Sequence, residues 1–277
     1  MKIGWAFLTC LLIAMLIMCS APVPQEPGVT LPPQTEMRDN SADDARTILA
    51  RYAEAWRGKE EMPSLKDPIS VAFWISGEGG GKFTVVLAPD GPAEIVDGIA
   101  EDHAGGFRTS IETLRRLDRN EINAMTAMGR ANWSDPADMD PVIPGGRLTP
   151  ELQSLFLPLT FHFWNREWPE IVPFGEGTTR FVHGGNAAIF FYDQGLRTAW
   201  YQIREGMHIN ADPSDQTNPF PSLFIMTRGS CMARLDGREQ RLSEGVAVHV
   251  PAGMSHEFWA GPGDYGEVIM ICWGEGA

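Results

Sequence analysis

This chain is poor in the residues that usually carry catalysis. Its 277 residues include four cysteines and six histidines. It has no G-x-S-x-G, no H-E-x-x-H and no Cys/His pairing that spacing would support, so the usual marks of serine hydrolases, zinc peptidases and cysteine enzymes are missing. Positive charge is also scarce. Against 36 Asp and Glu stand 22 Lys and Arg, a formal net charge of −14, with no Lys/Arg cluster to override the average. Such a chain repels phosphate backbones and anionic head groups, which argues against nucleic-acid binding. Nor is there a phosphate-cradling loop. Gly79-Gly80-Gly81-Lys82 runs into Phe83 and a strand pattern, where a P-loop needs Ser or Thr opening a helix. The glycines read as a hairpin turn.

Long apolar runs are missing except at the start, where Ile3 to Met18 follows Lys2 and precedes Cys19-Ser20-Ala21. One positive charge, a short apolar core and small residues read as an export signal over 1–21, cleaved near Ala21. The run is shorter than the ~20 residues a bilayer-spanning helix wants. Leu16-Ile17-Met18-Cys19 also resembles a lipoprotein signal, with Met18 where a small residue is usual. Acylation of Cys19 therefore competes with simple cleavage and is the one membrane link the sequence implies. Either way the protein is expected in the periplasm or the medium. Residues 22–42, with Pro-Val-Pro, Gln-Glu-Pro-Gly and Leu-Pro-Pro, read as a disordered spacer. Cys231 and Cys272 remain, both in apolar strand-like runs. Two buried unreactive thiols and a disulfide are both open.

Order begins near Ser41, in a unit expected over 43–147. Ile48, Leu49, Tyr52, Ala55 and Trp56 recur at helical spacing; residues 69–76 alternate as a strand; 82–87 continue as a second. Residues 109–118 carry Ile111, Leu114 and Leu117 on one helical stripe, and 121–128 carry Ile122, Met125 and Met128 before Gly129. Asp102-His103 reads as a solvated loop. Phe73-x-Ile75-x-Gly77, Phe83–Leu87, Asp97-Gly98, Ser110-x-x-Thr113-Leu114 and Asn123-Ala124-Met125 leading to Gly129 together resemble the sterol carrier protein type 2 domain over about 44–135. The resemblance implies an α+β sandwich enclosing an apolar tunnel for lipid-like ligands, lined by Phe73, Phe83, Ile111, Leu114, Met125 and Met128. Read from the residues alone, the same side chains need only be an ordinary core. The next stretch, 148–177, crowds Leu152, Leu155, Phe156, Leu159, Phe161, Phe163, Trp164 and Trp168 between Pro150 and Pro158 and beyond. It reads as a strap packing one domain on the next, or as an aromatic lid.

From about 178 the pattern is all-β: 187–192, 196–204, 223–227, 231–235, 245–250, 257–260 and 267–273, with Asp236-Gly237 as a tight hairpin. Gly245 to His256 has the form G-x5-P-x-G-x2-H and resembles the second motif of the cupin family, which implies a double-stranded β-helix over 178–277. Metal-binding cupins take two His and a Glu from an earlier motif ending in Gly, here Gly229. Counting back places Ser222 at the Glu position, Asn218 and Gln216 at the His positions, and Asn210 at a leading Gly. Only His256 survives, and neutral amides and a hydroxyl are poor ligands for a transition metal. Gln216, Asn218, Ser222 and His256 suit hydrogen bonds to a polar organic group; for His256 alone, a satisfied interior histidine is the other reading. His208 and His249 are weak candidates to rebuild a metal site. Ser255 and His256 are strand neighbours facing opposite ways, so they form no dyad.

The expected fold class is therefore α+β: an N-terminal sterol-carrier-like α/β sandwich followed by an all-β cupin barrel. The expected function is that of an exported, non-enzymatic binder of a small hydrophobic or amphipathic molecule, with no cofactor and no catalytic residues, and compatible with a homo-oligomer. Two alternatives stand beside it. One is a metal-dependent isomerase or oxygenase using His256; the other is a scaffold whose aromatic segment meets a partner.

Overall fold

The computed structural model describes residues 39–277 except 131–134, 147–148 and 168. The export segment, Cys19, the spacer up to 38 and Trp168 lie outside the described residues.

Helix α1 (Ala45–Ala55) starts where Asp44 caps it, accepting the Thr47 N–H at 2.8 Å, and buries Ile48, Leu49 and Tyr52. Strands β1 (Ile69–Ser76), β2 (Gly81–Leu87) and β3 (Glu94–Asp97) follow as an antiparallel meander. Strand β4 (Gly105–Ser110) then returns parallel to β1, with Phe73 opposite Phe107. Gly106 allows that approach, since a Cβ there would lie 1.9 Å from the Ala72 carbonyl oxygen. Helix α2 (Ile111–Asp118) begins directly at its Ser110 cap, and α3 (Ala124–Met128) at Asn123. Strand β5 (Met139–Val142) completes a five-stranded sheet of order β3-β2-β1-β4-β5. Residues 121–123, expected to be helical, form the turn and cap ahead of α3.

The aromatic segment is a helix. In α4 (Pro150–Phe163), Thr149 caps the N-terminus and Pro150 fills the first turn, where its missing N–H costs nothing. Pro158 sits in the interior. Proline at that position argues against a helix in sequence, yet burial of Phe156, Leu159, Phe163 and Trp164 outweighs the roughly 3 kcal/mol it costs. Tyr52 and Trp164 meet edge to face at 4.9 Å, and Phe73 lies 5.7 Å from Phe163 and 5.8 Å from Trp164. Aromatic rings from α4 thus fill the interior between sheet and helices.

The second sheet starts with β6 (Arg180–Val182), β7 (Gly185–Asp193) and β8 (Leu196–Arg204), and runs in the order β6-β7-β8-β14-β10-β13-β9. Its later members are β9 (His208–Ile209), β10 (Ser222–Leu235), β11 (Arg238–Ser243), β12 (Ala247–Val250), β13 (His256–Trp259) and β14 (Tyr265–Trp273). Strand β10 joins the two faces of the barrel. Its first part pairs with β12 and β14, its last part with β11 and β13. A register shift between Met226 and Arg228 turns it, so the two strands expected at 223–227 and 231–235 are one. Among the described residues the two cysteines are free and buried: Cys231 touches Met226 Sδ at 3.8 Å, and Cys272 touches Ser222 Oγ at 3.2 Å.

Residues 39–277 form one compact unit, and α3 is the joint between its halves. Ile189 on β7 lies past the last β6 pairing, at Ala187. Its N–H goes to Thr126 Oγ1 at 2.7 Å, and its carbonyl accepts Asn123 Nδ2 at 2.9 Å. From β6, Arg180 donates to the carbonyls of Thr126, Ala127 and Gly129 at 3.2, 3.3 and 2.7 Å, satisfying the end of α3.

Candidate ligand-binding site

Inward-facing side chains on β8 (Arg197, Tyr201, Ile203), β10 (Phe224) and β14 (Val268, Met270, Cys272) alternate with outward ones, as the two-residue period of a strand requires. They do not close on one another. Between them and the inner sides of α3 and α4 lies a cavity of about 470 Å³, walled on the helical side by Met125, Met128, Phe156 and Thr160 and reaching Asn218, His183 and His256. Ligand pockets in general span about 300–1,000 Å³.

His256 is 2 % exposed at the start of β13. Its Nδ1 lies 3.0 Å from the Met254 carbonyl, which can only accept, so Nδ1 carries the proton and Nε2 is a bare acceptor. Asn218 Nδ2 approaches that acceptor at 3.3 Å. Burial holds the His256 pKa below its ordinary value, with nearby His183 acting in the same direction and the Met254 hydrogen bond opposing. His183 sits on the β6–β7 turn at φ 54, followed by Gly184 at φ 83, the geometry of a tight primed hairpin. A Cβ on Gly184 would lie 2.0 Å from the His208 carbonyl oxygen, so this turn packs against β9. His183 Nε2 is hydrogen-bonded to Asn210 Oδ1, while Asn210 Nδ2 donates to the His256 carbonyl at 3.0 Å. Asp215 Oδ2 stands 3.9 Å from His183 Nδ1. The result is a hydrogen-bonding end to the cavity, with the Asp215 carboxylate at its edge.

Of the residues singled out from sequence, Asn218, His256, Met125 and Met128 line this one cavity. Gln216 and Ser222 do not. Gln216 accepts the His256 N–H on its carbonyl at 2.9 Å and Ser255 Oγ on its side chain at 3.3 Å. Ser222 is 1 % exposed and packs on Cys272. Phe73, Phe83, Ile111 and Leu114 belong to the filled core of the first sheet and its helices; none lines the cavity, because Phe163 and Trp164 occupy the space a tunnel would need. His208 pairs with Glu257 at 2.6 Å, and His249 stacks on Trp273 at 5.7 Å; neither lines the cavity. His183, Tyr192, Tyr201 and Arg197 were not singled out, and Asn210, counted only to a leading Gly position, also lines the cavity. The His183-Gly184 pair at a strand boundary was a readable turn signal, whereas nothing in the sequence marks Arg197 or the tyrosines as inward-facing.

The donor set does not suit a metal. A transition ion wants three or four N, O⁻ or S⁻ ligands about one point, whereas His256 is surrounded by amides and His183 faces an amide with one carboxylate beyond. Among the described residues no group of three or more His, Cys, Asp and Glu could hold an ion.

Residues 208–270 match the family model of the AraC-like ligand binding domain. The matched stretch runs from β9 into β14, so the similarity lies in the barrel that walls the cavity. No curated protein matches the chain. Solved structures similar to it include a Cupin 2 conserved barrel domain protein from Salinispora arenicola, 16% identical over 38% of this chain and 88% of that one, with a TM-score of 0.34. An RmlC-like cupin from Shewanella frigidimarina is 16% identical over 36% and 87%, at 0.31. KdgF from Halomonas sp. is 18% identical over 34% and 82%, at 0.29. At scores this low they say nothing about chemistry.

Proposed function

We propose that this is an exported, non-enzymatic binding protein for a small hydrophobic or amphipathic molecule, held in the cavity between the barrel and helices α3 and α4. The observation that carries the reading is the cavity itself: about 470 Å³, walled by methionines and aromatics, with the His256–Asn218 pair at one end. That volume equals the liquid share of roughly 16 water molecules. It suits a ligand of about as many non-hydrogen atoms, not a two-tailed lipid. Each buried CH₂ contributes about 0.8 kcal/mol, so such a ligand reaches useful affinity with few polar contacts. The sterol-carrier-like layer then acts as a wall of the barrel's site, supplying Met125 and Met128, in place of a separate tunnel. Delivery across a membrane rests on the segment from Lys2 to Ala21, with acylation of Cys19 the competing outcome. Among the described residues no helix is long and apolar enough to cross a bilayer.

Native mass spectrometry of the protein purified from its own host tests the proposal, paired with elemental analysis. One equivalent of a small organic molecule, released on denaturation, is expected. Stoichiometric Fe, Mn, Ni or Zn that disappears in His256→Ala would refute it in favour of a metal enzyme.

A further inference from the structure

The cavity has a second polar end, centred on Arg197 at the start of β8. Its guanidinium carbon lies 5.2 Å from the ring centre of Tyr192 and 4.9 Å from that of Phe220, and Nη2 donates to the Gly276 carbonyl at 2.9 Å. No carboxylate among the described residues forms an ion pair with it, whereas Arg51, Arg119, Arg166 and Arg234 each have one. In a chain with 36 acidic residues, a cation without an acidic partner at a cavity wall is unusual. Its polar neighbours are the Gly276 carbonyl, which accepts from it, and side chains of the cavity wall, and the C-terminal residue Ala277 beside them makes no ion pair with it. Burial raises the pKa of Tyr192, Tyr201 and Cys272 alike, so none supplies a counter-charge at neutral pH. No described hydrogen bond occupies the Tyr201 hydroxyl, and Tyr201 lines the cavity.

Building on the binding role proposed above, we infer that the ligand is an amphipathic monocarboxylic acid, its carboxylate paired with Arg197 and hydrogen-bonded by the hydroxyls of Tyr192 and Tyr201, its apolar body running toward Phe224 and Met125. A planar guanidinium held between two rings presents its remaining N–H groups as a fork that matches a carboxylate. One cation balances a monoanion and leaves a phosphate dianion half compensated. The volume suits an acid of about 16 non-hydrogen atoms or fewer.

Calorimetric titration of the full chain with decanoate, decanol and decyl phosphate tests this, with Arg197→Met and Arg197→Lys alongside. Decanoate is expected to bind about tenfold or more tighter than decanol, and decyl phosphate no tighter than decanoate. Arg197→Met should bring decanoate down to the decanol level while leaving decanol within about twofold; Arg197→Lys should retain part of the preference. Equal affinity for decanoate and decanol in the unaltered protein overturns the acid but leaves the cavity reading standing. Tighter binding of decyl phosphate overturns the carboxylate. Binding of none of the three overturns the cavity reading together with this inference.

Discussion

His256 shows how one residue type takes its role from its neighbours. In a metal centre its Nε2 would meet an ion; here Nδ1–H is tied to Met254 and Nε2 faces an amide, so the ring is a fixed neutral acceptor. Because burial lowers its pKa in the folded state, the unfolded chain binds the proton more readily. The stability this confers is complete above the unfolded value of about 6.5 and is lost as pH falls from there through the folded value. Urea unfolding between about pH 7 and about pH 5 should show stability falling, with His256 contributing up to about 1.4 kcal/mol per pH unit. His256→Asn keeps a donor for Met254 and cannot protonate, so its profile should be flatter; parallel profiles would show that the ring does not titrate as described.

The element that makes the site is α3, a single turn and a half held at both ends by the barrel. Thr126 is wholly buried, and its hydroxyl is the partner of the Ile189 N–H. Thr126→Val preserves shape and orphans that N–H, which should cost about 1–3 kcal/mol and weaken ligand binding through displacement of Met125. An unfolding midpoint within error of the parent would mean that the joint is not where the halves are fastened. Helix α4 offers the opposite test. Pro158 leaves the Ser154 carbonyl without its helical partner, so Pro158→Ala should raise stability by about 1–3 kcal/mol in denaturant unfolding; a loss would show that the proline's packing outweighs the missing hydrogen bond. The same helix explains an obscurity of the sequence. Two prolines among crowded aromatics mask helical periodicity, and burial alone decides the outcome. Strand β10 was obscured differently, because Arg228 and Gly229 interrupt its alternation at the bulge, whereas β1 shows plainly in the unbroken pattern of 69–76. Strands β4 and β5 were hidden by Gly105-Gly106 and Pro141, residues that depress strand propensity but allow close approach and an edge position.

For the whole molecule, the barrel was legible because Gly245, Pro251 and Gly253 punctuate it at fixed offsets. The site was only half legible. Asn218 and His256 could be found by counting along a motif, but the cavity they share with Met125 and Met128 forms where the barrel strands and helices α3 and α4 fail to close on one another, and no local pattern encodes that. Arg197 and Tyr201 are ordinary strand residues until β14 and α3 are set against them. Ligand binding requires that space to be open to an apolar guest. Thermal unfolding with excess decanol, in the parent and in Met270→Trp, which places an indole in the lining, tests it most directly. At about 100 times Kd the guest should stabilise the parent by about 2.7 kcal/mol, and Met270→Trp, folded and at least as stable alone, should gain almost nothing. An equal rise in both proteins, or none in the parent, would contradict the account.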